Sequence, residues 1–159
     1  MAFENAKEYL EKKGYGDRIK TFEVSSATVE LAALALHTEP ERIAKSLTFM
    51  VNNEAVMIVC AGDAKVDNAK FKAAFSTKAK MLTPDEVVER IGHAIGGVCP
   101  FGINEEVRVY LDESLKRFDT VYPACGSGNS AVELTVAELE QTACPTGWLD
   151  VCKGWENNI

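Results

Sequence analysis

The sequence predicts a mixed α/β domain whose sheet is largely antiparallel or mixed. Three observations predict it. Capping-box sequences recur at Thr38-Glu39-Pro40-Glu41, Thr83-Pro84-Asp85-Glu86 and Thr135-Val136-Ala137-Glu138. In each, a Thr hydroxyl can accept from the amide three residues on while the Glu reaches back, which starts a helix. Two apolar runs, Ser46–Val51 and Ala55–Cys60, flank Asn52-Asn53-Glu54 as the arms of a hairpin. Val107, Val109 and Leu111 alternate with Arg108 and Tyr110, the period of a strand with one buried face. Hairpins mixed with short helices do not fit a doubly wound Rossmann sheet.

The elements follow in order. Phe3, Ala6 and Leu10 share one face of a helix over 3–13. A strand is expected at 19–23, then helices at 28–37 and 39–45. Pro40 and Pro84 sit in first turns, where a missing N–H costs nothing. The hairpin strands occupy 46–52 and 55–60. Helices follow at 67–75 and 84–91, strands at 107–111, 119–122 and 131–134, and a last helix at 135–142. No repeat, linker or low-complexity tract divides the 159 residues, so one domain over 1–159 is expected.

The hydrophobic share of 47 % and the charged share of 26 % are those of an ordinary globular chain. The net charge of −7 excludes nucleic-acid binding by bulk electrostatics, since phosphate contacts need clustered Lys and Arg. One stretch departs from this. Lys65, Lys70, Lys72, Lys78 and Lys80 face a single acid, Asp67, as a solvated helix face or a local phosphate contact. The longest apolar run, Ala55–Ala61, is too short to span a bilayer. The N-terminus carries acids and no apolar core of a secretory signal, so the expectation is a cytoplasmic protein without a membrane partner. Five cysteines, with no C-x-x-C pair, support neither a disulfide framework nor a zinc ribbon. With only two histidines, neither a metal nor another cofactor is expected. No Walker loop, G-x-G-x-x-G, H-E-x-x-H or G-x-S-x-G occurs.

Chemistry concentrates in three places. Gly96-Gly97-Val98-Cys99-Pro100-Phe101-Gly102 holds three glycines and a proline in seven residues. Such a loop is either a tight connection or a way to aim several backbone N–H groups at developing negative charge. Lys45, between a short helix and a strand, is either a helix C-terminal cation or a charge held at a pocket by its apolar neighbours. Gly126-Ser127-Gly128-Asn129 is either a hairpin turn or a second backbone wall of that pocket. His93, three residues before the first loop, is either structural or in touch with substrate. Cys99 is either a small buried thiol or a nucleophile, although no clear His–Asp/Asn set supports the latter.

Read together, these segments resemble a known family. Thr28-Val29-Glu30-Leu31-Ala32-Ala33, Pro40-Glu41-Arg42-Ile43-Ala44-Lys45-Ser46-Leu47, the Gly96–Gly102 loop, Gly126-Ser127-Gly128 and Val132-Glu133-Leu134 occur in the order seen in the YbaK/ProX family. Its members are free-standing relatives of the editing insertion domain of bacterial prolyl-tRNA synthetase. The resemblance covers roughly residues 20–142. It implies an α+β fold with a mixed, partly barrel-like sheet surrounded by helices. It also implies hydrolysis of the ester joining a wrong small amino acid, such as Ala, Cys, Ser, Thr or Pro, to the 3′ end of a tRNA. The family lysine falls on Lys45 and the G-x-x-x-P loop on Gly96 to Pro100, so Lys45 and Gly96 carry the implied catalysis. Thr28, Ser46, His93, Gly97, Val98, Cys99, Pro100, Gly126, Ser127 and Gly128 are the implied substrate contacts. The implied partners are the acceptor end of an aminoacyl-tRNA and a synthetase. The cysteinyl-tRNA branch tends to carry Ser at the place of Gly126 and an aromatic at that of His93. The Pro100-Phe101-Gly102 ending is closer to the alanine or broader small-residue branches. The alternative is a tRNA- or synthetase-binding module that keeps the fold without the activity.

Overall fold

Helix α1 (Ala2–Lys12) opens the computed structural model, which describes residues 2–156. Ala6 and Leu10 are fully buried on its inner face and Phe3 packs beside them, as the periodicity requires. A 3₁₀ turn leads to β1 (Ile19–Thr21), and α2 (Val29–Leu36) starts where Thr28 Oγ1 accepts from Leu31 N at 3.2 Å. The hairpin follows as β2 (Ile43–Val51) and β3 (Glu54–Ala61). Asn52 and Asn53 turn the chain at φ 51° and 65°, a left-handed geometry that Asn tolerates. Next come β4 (Lys65–Val66), α3 (Asn68–Phe75), α4 (Pro84–Arg90) and β5 (Arg108–Asp112). The chain continues through β6 (Thr120–Pro123), β7 (Ser130–Val132), β8 (Leu134–Thr135) and α5 (Val136–Ala143), then β9 (Gly147–Leu149) and β10 (Cys152–Lys153).

Six strands form one mixed sheet in the order β8-β6-β2-β3-β5-β9, which curls into a half-barrel with five helices around it. β2 pairs antiparallel with β3 from Ala44↔Ala61 to Val51↔Glu54, and parallel with β6 at Ile43 and Ala44. β3 is buried at every residue after Glu54, so it forms the spine of the core. Phe49, Phe71 and Phe75 stack in a row beneath it, with ring centroids 4.9 and 4.7 Å apart. Two antiparallel ribbons, β1 with β7 and β4 with β10, flank the sheet.

Three expectations change. The helix at 39–45 is a single 3₁₀ turn, Pro40–Arg42, whose N-cap Glu39 makes no side-chain cap, so the Thr38 capping box does not form. Only five residues separate the left-handed cap His37 from Ile43, and the β2 pairings claim everything from Ile43 onward. Lys45 therefore lies inside β2, opposite Cys60, and not at a helix end. The strand at 131–134 breaks at Glu133, because β7 pairs with β1 while β8 pairs with β6. β4, β9 and β10, of two or three residues each, carry no readable period. The other two capping boxes form in full at Thr83 and Thr135.

Candidate active site

Three loops meet beside the start of β2. The first, residues 22–28, is held at both ends: Ser26 N donates to Gly128 O at 2.7 Å and Phe22 N to Asn129 O at 2.8 Å. The second is the Gly96–Gly102 loop and the third the Gly126–Asn129 turn. Gly126 N donates to Gly97 O at 3.0 Å. A Cβ at Gly97 would stand 2.5 Å from Ser127 N, so glycine there permits backbone to touch backbone. Gly96, at φ +97°, takes a conformation that L side chains rarely adopt, with Ala27 Cβ 3.1 Å from where its own would be.

A pocket of about 120 Å³ opens where these loops meet β2 and α2. Its wall includes Ser26, Ala27, Thr28, Val29 and Ala32 from the first loop and α2, and Ile43, Ala44, Lys45 and Ser46 from β2. Gly96, Val98, Tyr122, Ala124, Ser130 and Ala131 complete it. The small side chains that line it leave the space. Lys45 Nζ donates to Gly62 O at 3.4 Å, a long bond that ties the ammonium loosely to the wall. Gly62 is itself pressed against Pro40 O and Val29, where no side chain would fit. The hydroxyls of Ser26 and Ser46 are enclosed and have no hydrogen-bond partner among the described residues. Burial pushes the Tyr122 phenol up, and nearby Glu133 pushes in the same direction.

Of the residues singled out in the sequence, Lys45, Ser46, Thr28, Gly96 and Val98 come together on this wall. Gly97, Gly126, Ser127 and Gly128 stand behind it and set the spacing of the loops. Pro100 faces a separate cavity with Tyr9, Gly102 and Cys144. His93 and Cys99 do not reach the pocket: they are 1 % and 0 % exposed. His93 Nε2 donates to Phe101 O at 2.8 Å, and Cys99 Sγ lies 3.4 Å from the same nitrogen. That leaves His93 Nδ1 as the unprotonated atom, without a partner. Burial holds the imidazole below its usual range. Burial also pushes the Cys99 thiol far above its ordinary value, so it supplies no thiolate, and a Cys99 nucleophile is ruled out on accessibility and on charge. The sequence reading missed Ser26, Ala27, Tyr122, Ala124 and Ser130. These are small or hydroxylated residues in loops and strand ends, with no pattern that marks them. The adjacency of Ser26 to the Thr28 cap was the one available signal.

The lysine-rich segment divides. Lys70 is tied to Asp150 at 3.1 Å and Glu156 at 3.7 Å. Lys72 and Lys78 line a concavity with Asn68, Ala69 and Ala79.

Residues 23–142 match the model of the aminoacyl-tRNA editing domain, which spans all three loops and the pocket wall. The chain belongs to the aminoacyl-tRNA editing family. A relative from Bacillus subtilis (strain 168), the uncharacterized protein YwhH, is 50 % identical over 157 residues, covering 98 % of this chain and all of that one. A proline–tRNA ligase of Geobacillus sp. (strain WCH70) is 30 % identical over 101 residues, or 63 % of this chain. The matched segment spans only 18 % of that ligase's length. Among solved structures, a candidate trans-editing enzyme for prolyl tRNA synthetase superposes with a TM-score of 0.86 at 30 % identity, covering 96 % of this chain and 98 % of that one. The hypothetical protein APE2540 shares the fold, with a TM-score of 0.83 at 24 % identity and 94 % and 99 % coverage. No helix among the described residues is long and apolar enough to cross a membrane.

Proposed function

We propose that this editing-family protein is a free-standing deacylase that hydrolyses the ester between a small amino acid and the 3′ end of a mischarged tRNA. The observation that carries the reading is the pocket itself. It combines one cation, Lys45, with a positive-φ glycine loop and a wall of small residues. Water adds to the ester carbonyl, and the carbonyl oxygen becomes an oxyanion. The Gly97 amide is already engaged with Ala94 O at 3.0 Å, so the amides of Gly96 and Val98 are the donors available at the wall. Donors fixed before the reaction stabilise such charge without reorganising. Lys45 holds the carbonyl or the terminal ribose–phosphate and adds positive potential. The intermediate then collapses: the carbon–ribose oxygen bond breaks, the ribose oxygen takes up a proton, and free amino acid and tRNA leave.

None of the lining residues is a carboxylate or a histidine. In this reading the attacking water loses its proton to the substrate's own ribose hydroxyl or amine, and the protein works by positioning. Thr28, Ser46 and Val98 contact the aminoacyl end, with Gly97, Gly126, Ser127 and Gly128 holding the loops that form it. Lys72 and Lys78 receive acceptor-stem phosphates. A prolyl-tRNA synthetase is the partner suggested by the ligase relatives.

The test is deacylation of a panel of tRNAs charged with Ala, Cys, Ser, Thr or Pro. Ester loss above the spontaneous rate for one or a few members is the expected result. No acceleration for any member would favour the binding module without activity, and tRNA or synthetase binding would then be measured.

A further inference from the structure

The buried end of the pocket contains a polar group that the folded chain leaves unused. Ser26 is 6 % exposed, its Oγ has no hydrogen-bond partner among the described residues, and it stands on the pocket wall. Its position is fixed, because Ser26 N donates to Gly128 O at 2.7 Å. Of the other hydroxyls on that wall, Ser130 is already engaged, with Ser127 Oγ at 2.6 Å and Cys125 O at 3.3 Å, and Ser46, also unpartnered, belongs to a residue that is only half-buried. The buried part of the lining also holds Ala32, Ala44 and Ala131, at 6 %, 2 % and 2 % exposed. An enclosed hydroxyl without a partner costs free energy, and that cost is recovered if a ligand supplies the missing bond.

The orientation of a bound ester follows from size. A polynucleotide cannot enter a pocket of about 120 Å³, so the ester stays where the lining is partly exposed, as at Lys45 and Gly96. The side chain of the amino acid is the part that reaches the buried alanines. Cavities of about 150 Å³ hold one benzene, so this space of about 120 Å³ is limited to a small side chain. We infer that Ser26 is a specificity-determining residue, whose hydroxyl hydrogen-bonds a polar atom on the aminoacyl side chain. The preferred substrate then carries a small hydroxylated side chain, as serine does, over the apolar analogue alanine. This inference rests on the editing reading above. Discrimination by a buried hydrogen-bonding group exceeds what one methylene provides, because the analogue leaves that group unpaired.

Binding separates the two claims. Non-hydrolysable adenosines carrying seryl or alanyl groups through a 3′ amide are titrated calorimetrically into wild type and Ser26→Ala. Wild type should bind the seryl analogue about tenfold more tightly, the value of one good neutral hydrogen bond. Ser26→Ala should remove that difference and leave alanyl binding unchanged. The variant folds with an equal or higher Tm, since the hydroxyl it removes makes no bond in the free protein. Equal weakening of both analogues would assign Ser26 to the α-amino group and overturn the inference, as would wild type failing to distinguish them. If neither analogue binds and no aminoacyl-tRNA is hydrolysed, the editing reading itself fails, and the Ser26 role with it.

Discussion

His93 illustrates how one residue's surroundings decide its role. The sequence admits two roles for it, supporting structure or touching substrate. In the fold it is sealed beneath the glycine loop, with Nε2 bonded to Phe101 O. Burial is the main cause of its lowered pKa, outweighing the Phe101 bond that raises it. The unfolded chain therefore takes up a proton below about pH 6.5 that the folded chain resists. The contribution of His93 to stability is complete above that pH and is lost as pH falls through it toward the folded value. The urea midpoint should drop between about pH 7.5 and about pH 5.5, and His93→Gln should flatten part of that drop. Equal slopes in both proteins would show that His93 plays no part. Lys45 shows the opposite lesson. Its identity was legible from its neighbours, but not its address, because a strand that begins three residues earlier than expected places it opposite Cys60.

At the scale of elements, the legible features were those with local chemistry. The Thr83 and Thr135 caps, the Asn52-Asn53 turn and the Phe3-Ala6-Leu10 face each depend on residues within one or two turns of chain. The features that failed depend on distant partners. The Thr38 capping box lost to the β2–β3 ladder, and β9 exists only because β5 offers an edge at Tyr110–Asp112. The candidate site was half legible for the same reason. Motif residues gave Lys45, Gly96 and Val98, while Ser26, Tyr122 and Ala131 enter the pocket through loop contacts that no spacing announces. The contact between the second and third loops gives a sharp prediction. A methyl at Gly97 would meet Ser127 N at 2.5 Å and Gly126 C at 2.7 Å, and backbone cannot yield as a flexible side chain would. Gly97→Ala should cost about 1–3 kcal/mol by overpacking. If the Gly96 and Val98 amides are the oxyanion donors of the proposed deacylation, displacing them should slow it by about 10²-fold. Thermal melts and single-turnover rates measure the two effects, and a variant unchanged in both would mean that the loops are not held by this contact.

The proposed function poses an electrostatic problem at the scale of the whole molecule, since under it a chain of net charge −7 approaches a polyanion. The chain matches YwhH over all of that protein's length, whereas the ligase relatives carry the segment within a much longer chain. A small acidic protein has few phosphate contacts to spend, and Lys70 is occupied by Asp150 and Glu156. Lys72 and Lys78 remain as the pair lining the concavity beside α3. Each should contribute about one unit to the slope of log affinity against log salt, so Lys72→Gln and Lys78→Gln should each lower that slope by about 1. An unchanged slope in the double variant would move the phosphate contacts elsewhere on the surface.

The most direct test is the single-turnover deacylation rate of wild type and Lys45→Ala on the same mischarged tRNA, with circular dichroism confirming that both are folded. If Lys45 stabilises the developing charge, the variant should be slower by roughly 10²–10³-fold. Hydrolysis by Lys45→Ala at the wild-type rate would remove Lys45 from the chemistry and contradict the assignment of this pocket as the active site.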